Sequence, residues 1–326
     1  MVDNINQMVY NSDSERNPND TKEDTQMITI QNQNFGTEIE MTGITRSDAA
    51  QVIADYFGTS VRYIGTYYDT YGATDSKGRT WKCMSDGSIR CERKHNGRKV
   101  AASREYSCEM VTPILQYDDI EDLQNIVRKL VEKGALANDS CGIHVHVDGA
   151  NHNAESLINL VNLFTGRQDL FYEALGNEAR ATRWCQKASR EMLDQMRNGA
   201  HTMEALERVY YSSANNGYRG GINHEHYCDA RYRGLNLHAL YTKGTVEFRL
   251  FNGTTHAGKI KAYIQFCLAM SAWAINADKR PHFKDISDYT KEQKCAIMNR
   301  FLVRRLGLGG DEFKTARLHL TAAFAA

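Results

Sequence analysis

The sequence predicts an α+β fold in which one sheet has an apolar face and a polar face. Three short segments alternate apolar and polar residues with a period of two, as half-buried strands do: residues 35–41, 141–148 and 245–250. Between residues 153 and 211, apolar residues recur at helical spacing instead. We therefore expect strands and helices in separate stretches of the chain.

Composition and charge limit the partners of the protein. With 326 residues and 41% hydrophobic content, the chain can bury a sizeable core. Lys+Arg 40 balance Asp+Glu 40, so no bulk field draws the protein to nucleic acid or an anionic membrane. No apolar run approaches the roughly 20 residues that span a bilayer, and the polar start is unlike a signal peptide. We expect a cytoplasmic protein without nucleic-acid or membrane partners.

Cysteine usage and local composition suggest the domain organisation. Eight cysteines are scattered without a CxxC pair, which favours reduced thiols over a disulfide framework or zinc knuckle. Residues 1–26 are polar and predict a disordered tail. One main domain is expected over residues 27–281, followed by a C-terminal helical appendage at 282–326.

The first half of the chain combines strand signals with two helices. Thr45 or Ser47 can cap a helix that Gly58 ends, and a second helical pattern closes at Gly134. Strands are expected here at residues 61–64, 80–84, 88–92 and 108–112. The pair Asp86-Gly87 predicts a hairpin between the second and the third of them.

The second half is mostly helical around two further strands. A glycine-bearing loop is expected from residue 212 to 227, and a hairpin turn at 241–244 should join residues 231–240 to the strand at 245–250. A long helix from about residue 256 to 277 carries enough apolar residues to cover the sheet.

The three alternating segments carry their polar residues on one face. Parity places together Glu38 with Glu40, His144 with His146, and Glu247 with Arg249. Three carboxylates, two imidazoles and a guanidinium are costly to enclose unless they are paired or coordinate a metal. The pattern therefore indicates a functional site.

Other candidates have competing structural explanations. Cys141 shares the packing face by parity, which argues against a nucleophile. His224-Glu225-His226 resembles a metal triplet but lies in the loop, so it ranks below the strand histidines. Asp86 is either a turn residue or a ligand-facing group, and parity alone leaves Glu109 either at an exposed edge or in the site.

The residue types on the polar face favour particular chemistry. Several carboxylates with an imidazole suit Mg²⁺ or Mn²⁺ better than structural zinc. An arginine two residues from a carboxylate suits phosphoryl transfer, in which cations stabilise the developing charge. No GxxxxGK[ST] motif is present, so metals and side chains of the sheet would hold a nucleotide.

The sequence resembles a known family, the amidoligases of the carboxylate-amine ligase superfamily, which are related to glutamine synthetase and glutamate-cysteine ligase. Six motifs occur in the family's order between residues 35 and 277. They are Phe-Gly-Thr-Glu-Ile-Glu (35–40), Trp81 with Asp86-Gly87-Ser88, residues 109–115, residues 141–146, Arg231-Tyr232 with Leu235-Asn236-Leu237, and residues 244–249.

The resemblance implies a glutamine-synthetase-like curved antiparallel sheet with an ATP and metal site on its concave face and helices packed outside. Residues 27–281 would be the amidoligase-like catalytic domain. The implied metal ligands are Glu38, Glu40, Glu109, His144 and Glu247. His146, Arg249, Arg231 and Asn236 would contact ATP, and Asp86, Ser88 and Arg233 are expected to bind substrate.

These observations predict an ATP-dependent ligase that joins a carboxylate, from an amino acid or peptide, to an amine. Glu38, Glu247 and Arg249 would be catalytic, and an acyl phosphate would be the intermediate. Three alternatives remain at this stage: a metal-dependent hydrolase using His144 and His146 on zinc, a guanidino or small-molecule kinase of the same superfamily, and a protein that binds nucleotide without turnover.

Overall fold

The computed structural model describes residues 27–213, 221–278 and 285–324, so the segment predicted as an N-terminal tail lies outside the described residues. The described residues contain ten strands: β1 (Phe35–Met41), β2 (Arg62–Gly65), β3 (Thr70–Thr74), β4 (Thr80–Met84), β5 (Glu92–His95), β6 (Arg98–Ala101), β7 (Cys108–Val111), β8 (Gly142–Asp148), β9 (Leu235–Asn236) and β10 (Thr245–Asn252).

Ten α-helices lie within the same described residues. They are α1 (Arg46–Phe57), α2 (Ile120–Glu132), α3 (Ala154–Thr165), α4 (Gln168–Leu175), α5 (Arg190–Gly199), α6 (Met203–Ser212), α7 (His238–Lys243), α8 (Ala257–Asn276), α9 (Lys291–Arg300) and α10 (Lys314–Leu320). The predicted α+β class is confirmed. Within the described chain, no helix combines the length and apolar character needed to cross a membrane.

Eight strands form one antiparallel sheet in the order β2-β3-β4-β7-β1-β8-β10-β9. The three strands recognised by their alternation, β1, β8 and β10, are adjacent in this sheet. Their apolar residues, such as Ile39, Val145 and Phe248, are fully buried in the core. Helix α8 contacts β8 and packs against α2, α3 and α10, so helices cover this apolar face.

The ends of α1 agree with the sequence signals. Thr45 caps the helix by accepting a hydrogen bond from the backbone N–H of Asp48, and Gly58 ends it in the left-handed region at φ 67°. The long helix predicted near residues 256–277 is α8, whose bounds differ by one residue at each end.

The hairpin predicted at Asp86-Gly87 is wrong. The Asp86 side chain accepts hydrogen bonds from Ser88 and closes a local turn without a strand after it. The hairpin forms further on, at Asn96-Gly97, where both residues have positive φ values of 50° and 76°. It pairs β5 with β6 as a separate two-stranded sheet.

The hairpin predicted at residues 241–244 is also wrong. Residues 238–243 form helix α7, and Gly244 ends it at φ 75° with its N–H bonded to the carbonyl of Leu240. Buried Leu240 anchors the helix in the core. The strand preceding it, β9, is only two residues long and pairs with β10.

The helical segment near the C-terminus shares the hydrophobic core. Helix α9 continues into a π-helical turn at Phe301–Arg305, and α10 packs along α8. Leu302 and Leu320 are fully buried in the cluster that also contains the sheet's apolar residues. The described residues 285–324 therefore help to cover the outer helices.

Candidate functional site

Strand register brings the polar residues of four neighbouring strands onto one face. Glu40 of β1 lies opposite Glu109 of β7, and Glu38 lies opposite His144 of β8. On the other side of β8, His146 lies opposite Glu247 of β10. Cross-strand neighbours are about 5 Å apart, so these side chains interact directly.

Glu38 lies at the centre of this group. Its Oε2 is 2.8 Å from His144 Nδ1, and its Oε1 is 3.3 Å from His146 Nε2 and 3.4 Å from Lys243 Nζ. Burial raises the pKa of Glu38, but Lys243 and the two histidines outweigh burial and hold it well below the usual range. The carboxylate is therefore ionised and ready to bind a cation.

Glu247 is held in place from two sides. Arg249 Nη1 donates to its Oε1 at 2.6 Å, and Asn236 Nδ2 donates to its Oε2 at 2.6 Å. Asn236 is itself fixed because its side-chain oxygen accepts from Tyr210 Oη at 3.1 Å and from the backbone N–H of residue 238 at 2.8 Å. Despite burial, Arg249 keeps the pKa of Glu247 low. A fixed, ionised carboxylate results.

Glu40 and Glu109 form the opposite, more crowded side. Burial raises the pKa of Glu109 well above its usual range, and Glu38, Glu40 and Asp86 raise it further. Burial also raises the pKa of Glu40, although His144 opposes this effect. The backbone N–H of Gly142 donates to Glu40 Oε2 at 2.5 Å. These two carboxylates are crowded by like charges that a cation would relieve.

Two sets of side chains in the site place their ligand atoms close enough together to hold a metal ion, and both sets include His144. One set comprises Glu38, His144 and Glu247, and the other Glu40, Glu109 and His144; within each set, the ligand atoms lie within 4.8 Å of one another. Carboxylate oxygens with one imidazole are a donor set that suits Mg²⁺ or Mn²⁺. Glu40 and Glu109 are crowded by like charges, which a cation would relieve. Glu247 is held in place by hydrogen bonds. Both features make these residues fit divalent cations.

Two buried nitrogen atoms at the site have no hydrogen-bond partner among the described residues. One is His146 Nε2, which is near Glu38 but poorly aligned with it, while His146 Nδ1 lies 2.9 Å from Thr245 Oγ1. The other is Nε of Arg249, a residue that is only 6% exposed. Because buried polar nitrogen atoms normally have partners, these two atoms are candidate contacts for a bound ligand.

Other residues predicted for the site lie at its borders. Asp86 is close enough to Glu40 and Glu109 to raise the pKa of both, and the exposed Ser88 is hydrogen-bonded to it. Arg231 is half-buried beside Tyr232 and donates to the carbonyl of His226 at 2.8 Å. Asp86 and Ser88 therefore lie on the side of Glu40 and Glu109, and Arg231 lies near Lys243.

Arg233 is not brought to the cluster. Its guanidinium packs over the ring of Tyr210 at 4.9 Å and contacts Met192 and Ser213, on the side of α5 and α6. Arg233 precedes the short strand β9 and forms an isolated bridge with Gln186, so the main sheet does not direct its side chain to the polar face. Its link to the site is indirect, because Tyr210 holds Asn236.

Sequence reasoning missed two cations at the site. Lys243, at the end of α7, pairs with Glu38, and that carboxylate raises the pKa of the lysine. Arg180 donates to the carbonyl of Cys141 at 2.9 Å and lowers the pKa of Glu40. A Cβ at Gly142 would lie 2.5 Å from Arg180 Nη2, so a larger residue here would collide with the arginine. This glycine is therefore the feature of the sequence that could have indicated the close approach of another side chain.

The lower-ranked candidates are not members of the two donor sets. His224 lies in the exposed loop, and its Nε2 is 2.6 Å from a carboxylate oxygen of Glu207 in α6. Cys141 is buried, and burial raises the pKa of its thiol to about 11. A protonated thiol is a poor nucleophile.

Comparisons with known proteins give the family of this chain. No curated protein matches the sequence significantly. Among solved structures, a bifunctional glutathione synthetase from Pasteurella multocida has a TM-score of 0.44 and 13% identity, over 91% of this chain and 48% of that protein. The chain thus spans about half the length of that protein.

The family model described as "Putative amidoligase enzyme" matches residues 31–271 and includes every strand of the main sheet. The chain belongs to this amidoligase family.

Proposed function

We propose that the protein is an ATP-dependent carboxylate-amine ligase. The observation that carries the proposal is the pair of donor sets joined at His144, with Arg249 on one side and Lys243 beside Glu38. A hydrolytic metal site needs no buried guanidinium next to a ligand carboxylate, whereas phosphoryl transfer needs cations around the transferred group. Membership of the amidoligase family supports a ligase.

The proposal includes a glutamine-synthetase-like arrangement of the sheet. In it, the polar face of β7, β1, β8 and β10 is the concave face that holds ATP and the metals, and the helices lie outside. The observed antiparallel order of these strands supports this arrangement.

Each residue of the polar face has a proposed role. Glu38, Glu40, Glu109, His144 and Glu247 would hold Mg²⁺ or Mn²⁺, which neutralises phosphate oxygens when bound. His146 and Arg249 would contact the phosphates through His146 Nε2 and Arg249 Nε, the two buried nitrogen atoms that have no partner among the described residues. Asn236 would act by fixing Glu247, and Arg233 by packing on Tyr210.

The reaction would proceed in two displacements. A substrate carboxylate oxygen attacks the γ-phosphorus of ATP, the bond to the β-phosphate oxygen breaks, and ADP leaves. Arg249 and Lys243 stabilise the charge that spreads over the transferred group. The amine nitrogen then attacks the acyl carbon, the bond to phosphate breaks, and the nitrogen loses a proton to solvent. The products are an amide or isopeptide, ADP and phosphate.

The borders of the site would receive the acid and the amine. Asp86 and Ser88 lie beside Glu109 at one border, and Arg231 lies at the other. An aspartate is suited to hold a cationic amine, and an arginine to hold a phosphate or carboxylate. We assign substrate binding to Asp86 and Ser88, and the outer part of ATP to Arg231.

The test is capture of the acyl phosphate. A panel of amino acids and peptides is supplied with Mg·ATP and hydroxylamine, and ADP and hydroxamate are measured together. A ligase forms hydroxamate in step with ADP, because hydroxylamine intercepts the activated acyl group. ADP with a stable phosphorylated product would show a kinase, and amide cleavage without nucleotide would show a hydrolase.

A further inference from the structure

Strands β5 and β6 form a two-stranded ribbon outside the main sheet, which we call the basic ribbon (residues 92–101). Every residue in it except Glu92 is exposed. It carries five basic side chains and a single acidic one, in a chain whose formal net charge is +0. The positive charge is therefore concentrated locally.

The register of the ribbon places two lysines directly opposite each other, Lys94 and Lys99, and His95 lies opposite Arg98. Like charges directly across a ladder are destabilising, whereas opposite charges are stabilising. Within the described part of the chain, Arg93, Lys94, Arg98 and Lys99 have no acidic ion-pair partner.

Protection of exposed strand edges does not account for this pattern. Charged residues on an edge prevent unwanted strand pairing, but a lysine opposite a glutamate would protect the edge equally well without repulsion. A like-charge pair flanked by further exposed cations becomes favourable when an anion lies against it. The pattern thus indicates an anionic partner.

The ribbon is preformed, so a partner meets a defined surface. Asn96 and Gly97 have the positive φ values of a type I′ turn, which sets the register. At the base, Thr42 Oγ1 accepts from the Glu92 N–H and donates to the Glu92 carbonyl, both at 2.9 Å. Arg93 lies over the ring of Tyr106 at 5.9 Å.

Both ends of the ribbon lead into the candidate active site. Thr42, which holds its base, is two residues after Glu40. Beyond β6, Ser107 donates to the Asp86 carbonyl at 2.6 Å and immediately precedes the strand that carries Glu109. Four-residue strands are about 13 Å long, so an extended chain lying on the ribbon can reach the carboxylate cluster.

We propose that the basic ribbon binds an acidic polypeptide, and that the carboxylate used by the proposed ligase belongs to such a polypeptide rather than to a free amino acid. The inference rests on the proposed function. Side chains on one face of an extended peptide repeat about every 7 Å, so successive acidic residues can meet successive cations of the ribbon. A free amino acid is too short to contact the ribbon and the metal ligands together.

Binding in the absence of nucleotide tests the first half of the proposal. Labelled poly-L-glutamate of about 20 residues is titrated with the full-length protein, and anisotropy is followed at low and high salt. Lys94→Ala/Lys99→Ala should weaken binding about three- to tenfold and reduce its salt dependence. The control Lys129→Ala/Lys133→Ala removes two exposed lysines from the end of α2 and should bind like the wild type.

Two further measurements keep the test decisive. Lys94→Glu creates an opposite-charge pair with Lys99, so it should raise the melting temperature and still weaken binding. Loss of binding in this variant therefore cannot be ascribed to unfolding. Unchanged binding in both ribbon variants overturns the proposal. It is also overturned if RNA or duplex DNA of equal charge displaces poly-L-glutamate, because the partner would then be nucleic acid.

Activity tests the second half. Hydroxamate should form on poly-L-glutamate at a lower concentration of carboxylate than on free glutamate, and the ribbon variants should lose only that advantage. Equal use of both acids overturns the polypeptide assignment. If no acid gives hydroxamate although the ribbon binds poly-L-glutamate, the proposed function fails while the ribbon's binding role stands.

Discussion

Glu38 and Lys243 form an ion pair, with 3.4 Å between Oε1 and Nζ, that joins the central strand β1 to the end of α7. The two residues are 205 positions apart in the chain. Lys243 is the strongest of the influences that keep the Glu38 carboxylate ionised against burial. It therefore places a positive charge next to a proposed metal ligand.

Lys243→Ala should separate metal binding from turnover. Removing a cation beside Glu38 lessens repulsion of a second cation, so Mn²⁺ should bind at least as tightly as in the wild type. ATP turnover should fall about 10- to 100-fold because a charge near the transferred group is lost. Calorimetry with Mn²⁺ and an ADP-release assay measure the two effects. Weaker Mn²⁺ binding would instead mean that Lys243 serves to position Glu38. Lys187→Ala, which breaks an exposed ion pair with Asp169, is the matched control.

Glu109→Gln should weaken metal binding while stabilising the metal-free protein. The amide keeps the shape of the side chain but removes a charge crowded by Glu38, Glu40 and Asp86. We expect at least a tenfold increase in the Kd for Mn²⁺ and a melting temperature a few degrees higher. Calorimetry and thermal unfolding in EDTA measure these changes. A lower melting temperature in EDTA would contradict the crowding argument. Glu105→Gln, in an exposed turn, is the control.

Arg249→Lys should separate nucleotide binding from chemistry. Lysine keeps the positive charge beside Glu247 but cannot present the unpaired Nε–H together with the Nη1 contact. Mg·ATP should bind within about threefold of wild type, while the rate of ADP release falls about 100-fold or more. Equal losses in binding and turnover would show that Arg249 acts on ground-state ATP alone.

The polar face was predictable because a period of two is a local property. Once β1, β8 and β10 are recognised as strands, parity assigns Glu38, His144 and Glu247 to one face without knowledge of the fold. Pattern alone left Glu109 undecided, because the pairing of β7 with β1 is a tertiary fact. The resemblance to the family supplied what the pattern lacked.

The features that sequence reasoning missed depend on long-range contacts. Lys243 reaches Glu38 only because residues 238–243 form a helix, where the Gly244 signal had suggested a hairpin. Arg180 approaches through the space left by Gly142, and no spacing in the sequence links the two residues. Asp86-Gly87 and Asn96-Gly97 both carry turn signals. At Asp86, hydrogen bonds from Ser88 and Ser107 close a local turn, and the hairpin forms at Asn96-Gly97 instead.

His152 provides a test of stability that is independent of the candidate site. Its ring bridges Ser156 of α3, 3.0 Å from Nδ1, and Ser271 of α8, 2.9 Å from Nε2. Burial lowers the pKa of His152 to about 4, against 6.5 for an exposed histidine. The unfolded chain therefore binds a proton between these values that the folded protein does not. Stability should be full above about pH 6.5 and fall progressively as the pH drops towards 4.

His152→Ala should lower the free energy of unfolding by about 1–3 kcal/mol at pH 7.5, because two buried hydroxyl groups each lose one of their hydrogen-bond partners. At pH 5 the difference from wild type should shrink, since alanine has no proton to exclude. Urea unfolding at both pH values measures the change, and ADP release at low temperature should be nearly unaffected. The exposed His201→Ala should change neither quantity. A stability difference that is constant with pH would mean that the pKa of His152 is the same in the folded and unfolded states.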